Sequence, residues 1–488
     1  MALNYLTSLS YYVPELLVCL TMFALILLEA TYKKNDGKRA IVYLTSYLGL
    51  FSAFIYLVLG LGNEPTIIFT NSLVIDSFST LAKIIMVIGT IASIYLSSQS
   101  EDIDKAVKSE FAIMTCGVLV GGMLLASANN MLILYIGIEM LSILSYVLAS
   151  FKKNDERSSE AGLKYSLYGG ISAGIMLFGM SHIFGVLGVI NFSEMMPMMK
   201  NLSNEQIAIL LPSFVLFLTG LGYKIACVPF HMWSPDVYEG SPIPVTTFFS
   251  IVPKIAGLAA LVRISSVLFG GESMLSVGWV GLLSVIGALT MTVGNVSALN
   301  QRSVKRMLAY SSISHAGVML MGVVVLSEIG ARSILFYGVT YLFMTLVAFY
   351  IVSIVNDKFG NDHFERFNGL IFKHPLMAIS MTIVMFSLAG LPPFSGFIAK
   401  FHIFTALIDK RYYVLAIIAG LNSVVSVYYY LKIVRLMVFK ESESSEGIGG
   451  FGYQNQSIIF ALTVPVVLLG IFWEKLMIVA DGAKLFIP

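Results

Sequence analysis

Four ionisable residues lie deep inside long apolar runs of this sequence: Glu139, Lys224, Lys254 and Lys400. A lysine or acid at the centre of a membrane span costs roughly 2.5–3.5 kcal/mol on insertion scales, so their presence calls for a function. Glu139 sits in NMLILYIGIEMLSILSYVL, and its short side chain cannot reach an interface from that depth. The alternative for it is an acid kept protonated and hydrogen-bonded. For Lys224, five residues before Pro229, the alternative is snorkelling of the long side chain to a helix end. For Lys254 and Lys400 snorkelling is the weaker alternative, since either interface is more than about a dozen ångströms away at 1.5 Å per residue. Desolvation disfavours a charged amine, and a neighbouring carboxylate reverses that preference. Glu139 and Lys224 are therefore expected to form a pair whose separation sets whether the amine holds its proton.

Two of the lysines accompany breaks. Lys224 and Lys254 flank GLGYKIACVPFHMWSPDVYEGSPIPVTTFFSIVPK, where an apolar run stops at Pro229 and passes His231, Asp236 and Glu239. Lys400 follows Pro392 and Pro393 in LAGLPPFSGFIAK. Prolines free backbone groups that neighbours or water must satisfy, so broken helices line wet cavities, and wet cavities carry protons. His315, in RMLAYSSISHAGVMLMG, has the one side chain whose ordinary pKa is near 6.5, which suits a relay between Lys254 and Lys400; its alternative is a packing histidine bonded to the serines. His182 is a weaker candidate. His231, Asp236 and Glu239 are read as a possible proton inlet or as residues that structure a polar loop.

The elements that must position these groups follow from composition. Over 488 residues, 57% are hydrophobic and 12% charged, about half the charge of a soluble domain. Apolar runs recur at bilayer length, which predicts an all-α polytopic membrane protein with about fourteen spans. Their expected limits are 11–30, 40–62, 73–97, 110–127, 129–151, 160–186, 206–229, 242–267, 275–299, 304–327, 332–355, 374–408, 412–438 and 456–480. The first has no basic residue ahead of it and reads as a retained helix. Odd-numbered connections carry Lys33, Lys34, Lys38, Arg39, Lys105, Lys108, Lys152, Lys153, Arg157, Arg302, Lys305, Arg306, Lys358, Arg366 and Lys373. The positive-inside rule places these in the cytoplasm and both termini on the other side. Lys164, Lys432 and Arg435 read as interface anchors, and Asp76 and Lys83 as structural. Cys19, Cys116 and Cys227 lack metal-like spacing and read as small buried hydrophobes. No basic patch suggests nucleic acid, and no fingerprint suggests a nucleotide, haem or iron–sulfur site.

The broken spans seven and twelve lie five spans apart, an odd number, so two five-helix units would run in opposite senses, as in transporters built from inverted repeats. This predicts N-terminal helices over 1–109, a first repeat (spans four to eight) over 110–267, a second (spans nine to thirteen) over 268–438, and a last helix in 439–488.

The runs LYIGIEMLSILSYVL, YKIACVPFHMWSPDVYEGSP, KRMLAYSSISHAG and LAGLPPFSGFIAK resemble the antiporter-like subunits of respiratory complex I, the proton-translocating NADH:quinone oxidoreductase, a family related to the Mrp antiporters. The wording DVYEGSP is like its N-type branch, and a lysine rather than a glutamate at position 400 is like both the N and L branches and unlike the M branch. The resemblance implies that Glu139 is the span-five carboxylate paired with Lys224, Lys254 the central lysine, His315 an axis relay and Lys400 the exit-side lysine. It implies a non-redox subunit of a translocase in a bacterial inner membrane, driven by reactions elsewhere. NADH, FMN, iron–sulfur clusters and quinone would then belong to partner subunits, with no cofactor or soluble substrate on this chain. Neighbouring membrane subunits and lipids would be its partners. Competing readings are a Na⁺/H⁺ antiporter or membrane-hydrogenase subunit of the same superfamily, a non-conducting spacer, and an independent solute carrier.

Overall fold

A computed structural model describes residues 5–31, 36–271, 273–441 and 452–486. Lys33 and Lys34, and most of the 439–456 connection, fall outside the described residues. Among those described, thirteen helices are long and apolar enough to cross a membrane. Spans 1 to 6 are Val13–Thr31, Gly37–Leu59, Ser77–Gln99, Lys108–Ser127, Met131–Ala149 and Glu156–Leu187. Asn204–Ile225 belongs to span 7, and spans 8 to 11 are Ile243–Phe269, Met274–Ala298, Val304–Val324 and Glu328–Phe359. Tyr413–Phe439 and Tyr453–Ile471 are spans 13 and 14. Span 12 consists of two fifteen-residue helices, Pro375–Ala389 and Ser395–Asp409. Each rises only about 22 Å at 1.5 Å per residue, short of a core about 30 Å thick, so the pair must share the crossing.

Burial sorts the spans into layers. The most apolar stretch of span 8 is wholly buried and that of span 10 is 94% buried, against 28% for spans 1, 2 and 13 and 22% for span 14. Spans 8 and 10, with spans 3, 4 and 11 at 78–83% buried, form the interior of the bundle, while spans 1, 2, 13 and 14 present leucine, isoleucine and phenylalanine outward, as a lipid-facing ring requires. Cys116 and Cys227 are buried and Cys19 is half-buried, all three as free thiols.

Two expectations need correction. The polar stretch after Pro229 is helical: Trp233–Gly240 forms a short helix that completes span 7, with Pro235 in its first turn, where a missing N–H costs nothing. Asp236 and Glu239 therefore stand on a helix and not in a loop. A two-stranded hairpin, Thr66–Ile68 paired with Leu73–Ile75, joins spans 2 and 3; the sequence reading had placed no strand there, because three-residue strands carry too little period-2 signal.

Candidate proton-transfer axis

Span 7 stops at Ile225 because Ala226 adopts a left-handed conformation, φ 57°. Cys227 N–H then turns back to the Gly222 carbonyl (2.9 Å), Val228 N–H donates to Thr290 Oγ1 of span 9 (3.0 Å), and the Tyr223 carbonyl accepts from both Ala226 N–H (3.1 Å) and the Trp233 indole (3.0 Å). Lys224, 1% exposed, sits one turn before this break and does not snorkel. Its Nζ has no hydrogen-bond partner and lies 5.5, 5.3 and 5.2 Å from the ring centres of Tyr146, Tyr165 and Tyr223. Cation–π attraction in such a dry site is worth about 2 kcal/mol. Glu139 is half-buried on span 5, and its Oε1 also lacks a partner. No hydrogen bond or ion pair joins the two, but each feels the other's charge. The expected pair is thus brought within electrostatic reach and held apart.

Lys254 is 1% exposed on span 8 and its ammonium donates to Ser312 Oγ of span 10, which also accepts from Tyr341 Oη of span 11 (2.8 Å). Residues three and four apart share a helix face, so SSISH sets Ser311, Ser312 and His315 toward one seam. His315 is buried; Nδ1 pairs with Tyr337 Oη (2.6 Å) and Nε2 with Tyr430 Oη of span 13 (3.0 Å). Tyr430 Oη also pairs with Ser311 Oγ. The charges of both Lys254 and Lys400 act on His315, which lies between them. Its bonding partners are tyrosines rather than the neighbouring serines.

Span 12 breaks after Ala389, where Gly390 takes φ 84°. A side chain is excluded there twice over: by the left-handed backbone, and because a Cβ would come within 2.9 Å of Lys400 Cδ. The ammonium of Lys400 donates to the freed Leu388 and Ala389 carbonyls, both at 3.0 Å. These carbonyls end a helix, where the dipole favours a cation by about 0.3–1 kcal/mol. A small polar cavity of about 10 Å³, lined by Lys400, His315, Asn295, Asn422, Tyr429 and Tyr430 among others, separates Lys400 from the histidine. That volume is about one water. Tyr429 Oη donates to Asn295 Oδ1 (2.9 Å), and Asn295 Nδ2 donates to Asn422 (3.0 Å).

The remaining candidates divide. His231 is buried in the span 7 break. Asp236 takes ion pairs from Lys164 (2.6 Å) and Arg306 (3.0 Å), and Arg306 also binds Glu239. This cluster closes the basic end of the bundle over Trp233–Gly240. His182 is exposed, its ring edge-on to Phe178, and points away from the axis. Lys224 and Lys254 are joined by a series of rings: Tyr165, 5.3 Å from Lys224 Nζ, stacks on Trp233 (4.3 Å), and Trp233 meets edge-on Tyr238 (6.4 Å), whose ring lies 5.8 Å from Lys254 Nζ.

Arg263 and Glu15 escaped sequence reasoning, while their partners Asp76 and Lys83 were read as structural. Arg263, fully buried in span 8, donates to Asp76 Oδ1 (2.9 Å), whose other oxygen accepts from Phe486 N–H (3.0 Å). Lys83 pairs with Glu15 at 2.6 Å. The tyrosines around His315 gave no signal because aromatic residues are abundant in every span; Arg263 could have been found by the same search for charges that found Lys254.

The family described as NADH:quinone oxidoreductase/Mrp antiporter, transmembrane, matches residues 128–426, which contain all five axis residues. NADH-quinone oxidoreductase subunit N 2 of Chloroherpeton thalassium is 36% identical over 485 residues, 97% of this chain and 94% of that one. A chain in respiratory complex I from Thermus thermophilus with bound aureothin is 28% identical, with TM-score 0.81 over 96% of this chain and 100% of that one. A chain of the Mrp complex from Dietzia sp. DQ12-45-1b is 19% identical with TM-score 0.81, covering 97% and 96%; the likeness there is one of fold.

Proposed function

Because the chain belongs to the antiporter-like membrane subunits of NADH:quinone oxidoreductase, in their subunit-N branch, we propose that it carries protons across a bacterial inner membrane, driven by NADH oxidation and quinone reduction on partner subunits. The observation that supports this best is a buried series of polar groups: Lys254 and Tyr341 are both bonded to Ser312, the Tyr341 ring lies 5.3 Å from the His315 ring, His315 is bonded to Tyr337 and Tyr430, and a one-water cavity separates it from Lys400. A packing core has no need of amines, hydroxyls and an imidazole in sequence, and burying them unpaired is costly.

The basic end faces the cytoplasm in this reading, with both termini outside. A proton enters through the broken span 7, past His231 and the Asp236–Glu239 cluster, and binds the Lys224 amine. The Glu139 carboxylate acts on that amine only through charge, so a change in their separation changes how firmly the proton is held. The proton then passes to Lys254, across hydroxyls to His315, over the water-sized cavity to Lys400, and leaves by Ser395–Asp409. At each step one N–H or O–H bond breaks as another forms, and the donor regains a proton from the group behind it. The rings between Lys224 and Lys254 form the gate of this path, and their movement admits water. Residues 110–267 and 268–438 are the two inverted halves that supply one broken span each.

The test is to replace Lys224 or Lys400 by alanine in the assembled complex and compare NADH oxidation with proton pumping. Loss of pumping per electron is expected; wild-type pumping in both variants overturns the proposal. The fold likeness to an Mrp complex favours a second reading, a sodium/proton antiporter subunit. Pumping that requires Na⁺ in sodium-depleted vesicles would select it.

A further inference from the structure

At the basic end, outside the axis, three cavities adjoin. A slot of about 460 Å³ opens between spans 2, 3, 11 and 14, lined by Tyr47, Phe51, Ile91, Ala92, Leu346 and Leu462 among others. Its walls are almost wholly apolar, and its size falls in the roughly 300–1,000 Å³ range of ligand sites. It shares Leu96 and Tyr350 with a polar cavity of about 220 Å³, lined by Gln99, Ser100, Glu101, Ser353, Asp357, Lys358 and Asn455 among others. That cavity in turn shares Gln99, Ser100 and Glu101 with a wider one of about 790 Å³, open at the basic end. The order along the bundle is therefore hydrocarbon, polar shelf, water.

The polar shelf has a vacancy in its bonding. Ser353 borders the shelf and is 1% exposed; its hydroxyl is buried behind the shelf's wall and has no hydrogen-bond partner. A buried hydroxyl left unbonded costs about 1–3 kcal/mol, so something that accepts or donates belongs there. Beside it stand two carboxylates, Glu101 and Asp357, with one ammonium, Lys358. Tyr350, whose ring borders the slot, donates from its hydroxyl to Asn455 Oδ1 at 2.9 Å, and so marks the boundary between apolar and polar layers.

We propose that this slot is a binding site for a phospholipid with an ethanolamine headgroup. One acyl chain lies in the slot between spans 2, 3, 11 and 14. The phosphate meets Lys358 and the Ser353 hydroxyl, and the primary ammonium donates to Asp357 and Glu101. The mixed charge of the shelf decides the headgroup. A glycerol headgroup would bring a net negative charge against two carboxylates, and a choline headgroup has no N–H to give them. A second protein helix would fill the slot but would leave the Ser353 hydroxyl and both carboxylates to be matched by its own side chains.

The test uses the whole complex in its native membrane lipids, labelled with a phosphatidylethanolamine whose acyl chain carries a diazirine. Crosslinks are expected on peptides bearing Ile91 and Leu462. Excess unlabelled phosphatidylethanolamine should remove them, and phosphatidylglycerol and phosphatidylcholine should not. Ala92→Trp, which fills the slot, should cut labelling about tenfold. Asp357→Asn, which leaves the slot open, should weaken competition by phosphatidylethanolamine about threefold. Equal competition by phosphatidylglycerol overturns the headgroup assignment. Absence of crosslinks on those peptides, as a partner helix in the slot would produce, overturns the site. So does labelling that Ala92→Trp leaves unchanged; should that variant fail to assemble, the Asp357→Asn competition decides alone.

Discussion

In span 7 the break follows Lys224 by two residues, and the Tyr223 carbonyl beside it accepts from both the Ala226 N–H and the Trp233 indole. In span 12 the break precedes Lys400, and the freed Leu388 and Ala389 carbonyls are taken by the lysine itself. The first lysine is left among three tyrosine rings with a carboxylate at a distance; the second is bonded to fixed dipoles with no carboxylate at hand. One amine is thus free to respond to a remote charge, while the other is tied to the backbone geometry of its own helix. In the path proposed above, these two lysines take different tasks, one to sense and one to receive.

The comparison breaks most readily at the lysines. Lys400→Met should strand two carbonyls, at about 1–3 kcal/mol each. Lys224→Met replaces an amine that makes no hydrogen bond with a thioether of similar length; it gives up cation–π attraction of about 2 kcal/mol but also the cost of burying a charge, so the net change is near neutral. Thermal unfolding of the purified complex should therefore fall for the first and hold for the second; equal losses would erase the distinction. Glu139→Gln removes the remote charge and keeps the shape. It should reduce pumping per electron by about tenfold or more, on the scale of 1.4 kcal/mol per decade, with unchanged melting. An intact pumping ratio, measured with a pH-sensitive dye in sealed vesicles, would deny Lys224 its sensing role.

A smaller effect is expected at the link between the two halves. Tyr430→Phe removes the hydroxyl shared by His315 and Ser311, about 0.5–1.5 kcal/mol of hydrogen bonding. Pumping should slow a few-fold, most visibly in the solvent isotope effect, while Tyr350→Phe, outside the line, should leave that isotope effect unchanged.

The smallest concerns the basic end. Asp102 lies between spans 3 and 4, accepts from Ile243 N–H at the start of span 8 (2.8 Å) and pairs with Lys152. Burial alone would raise its pKa, but the charges of Lys305 and Lys152 and the backbone bond outweigh burial and hold it below the ordinary carboxylate value. A depressed carboxylate contributes stability above its unfolded pKa and loses it as pH falls through the folded one. Melting of the wild type should therefore drop in acid more steeply than that of Asp102→Asn. Parallel curves would show that Asp102 does not anchor the basic end.

Much of this was legible in the chain itself. Bilayer thickness imposes a run length, so the spans could be read from hydropathy, and proline chemistry marked both breaks. The cost of charge in hydrocarbon singled out Glu139, Lys224, Lys254 and Lys400 without any knowledge of their neighbours. Asp236 and Glu239 were misplaced in a loop because a short polar helix inside a break has too few residues for its period to show. Only the tertiary structure decided what each amine touches. Tyr146 and Tyr165 meet Lys224, Tyr430 meets His315, and Asp76 meets Arg263 across separations of tens to hundreds of residues. Local propensity carries no record of such meetings, since they arise when whole helices pack and bring one face of each to a common seam.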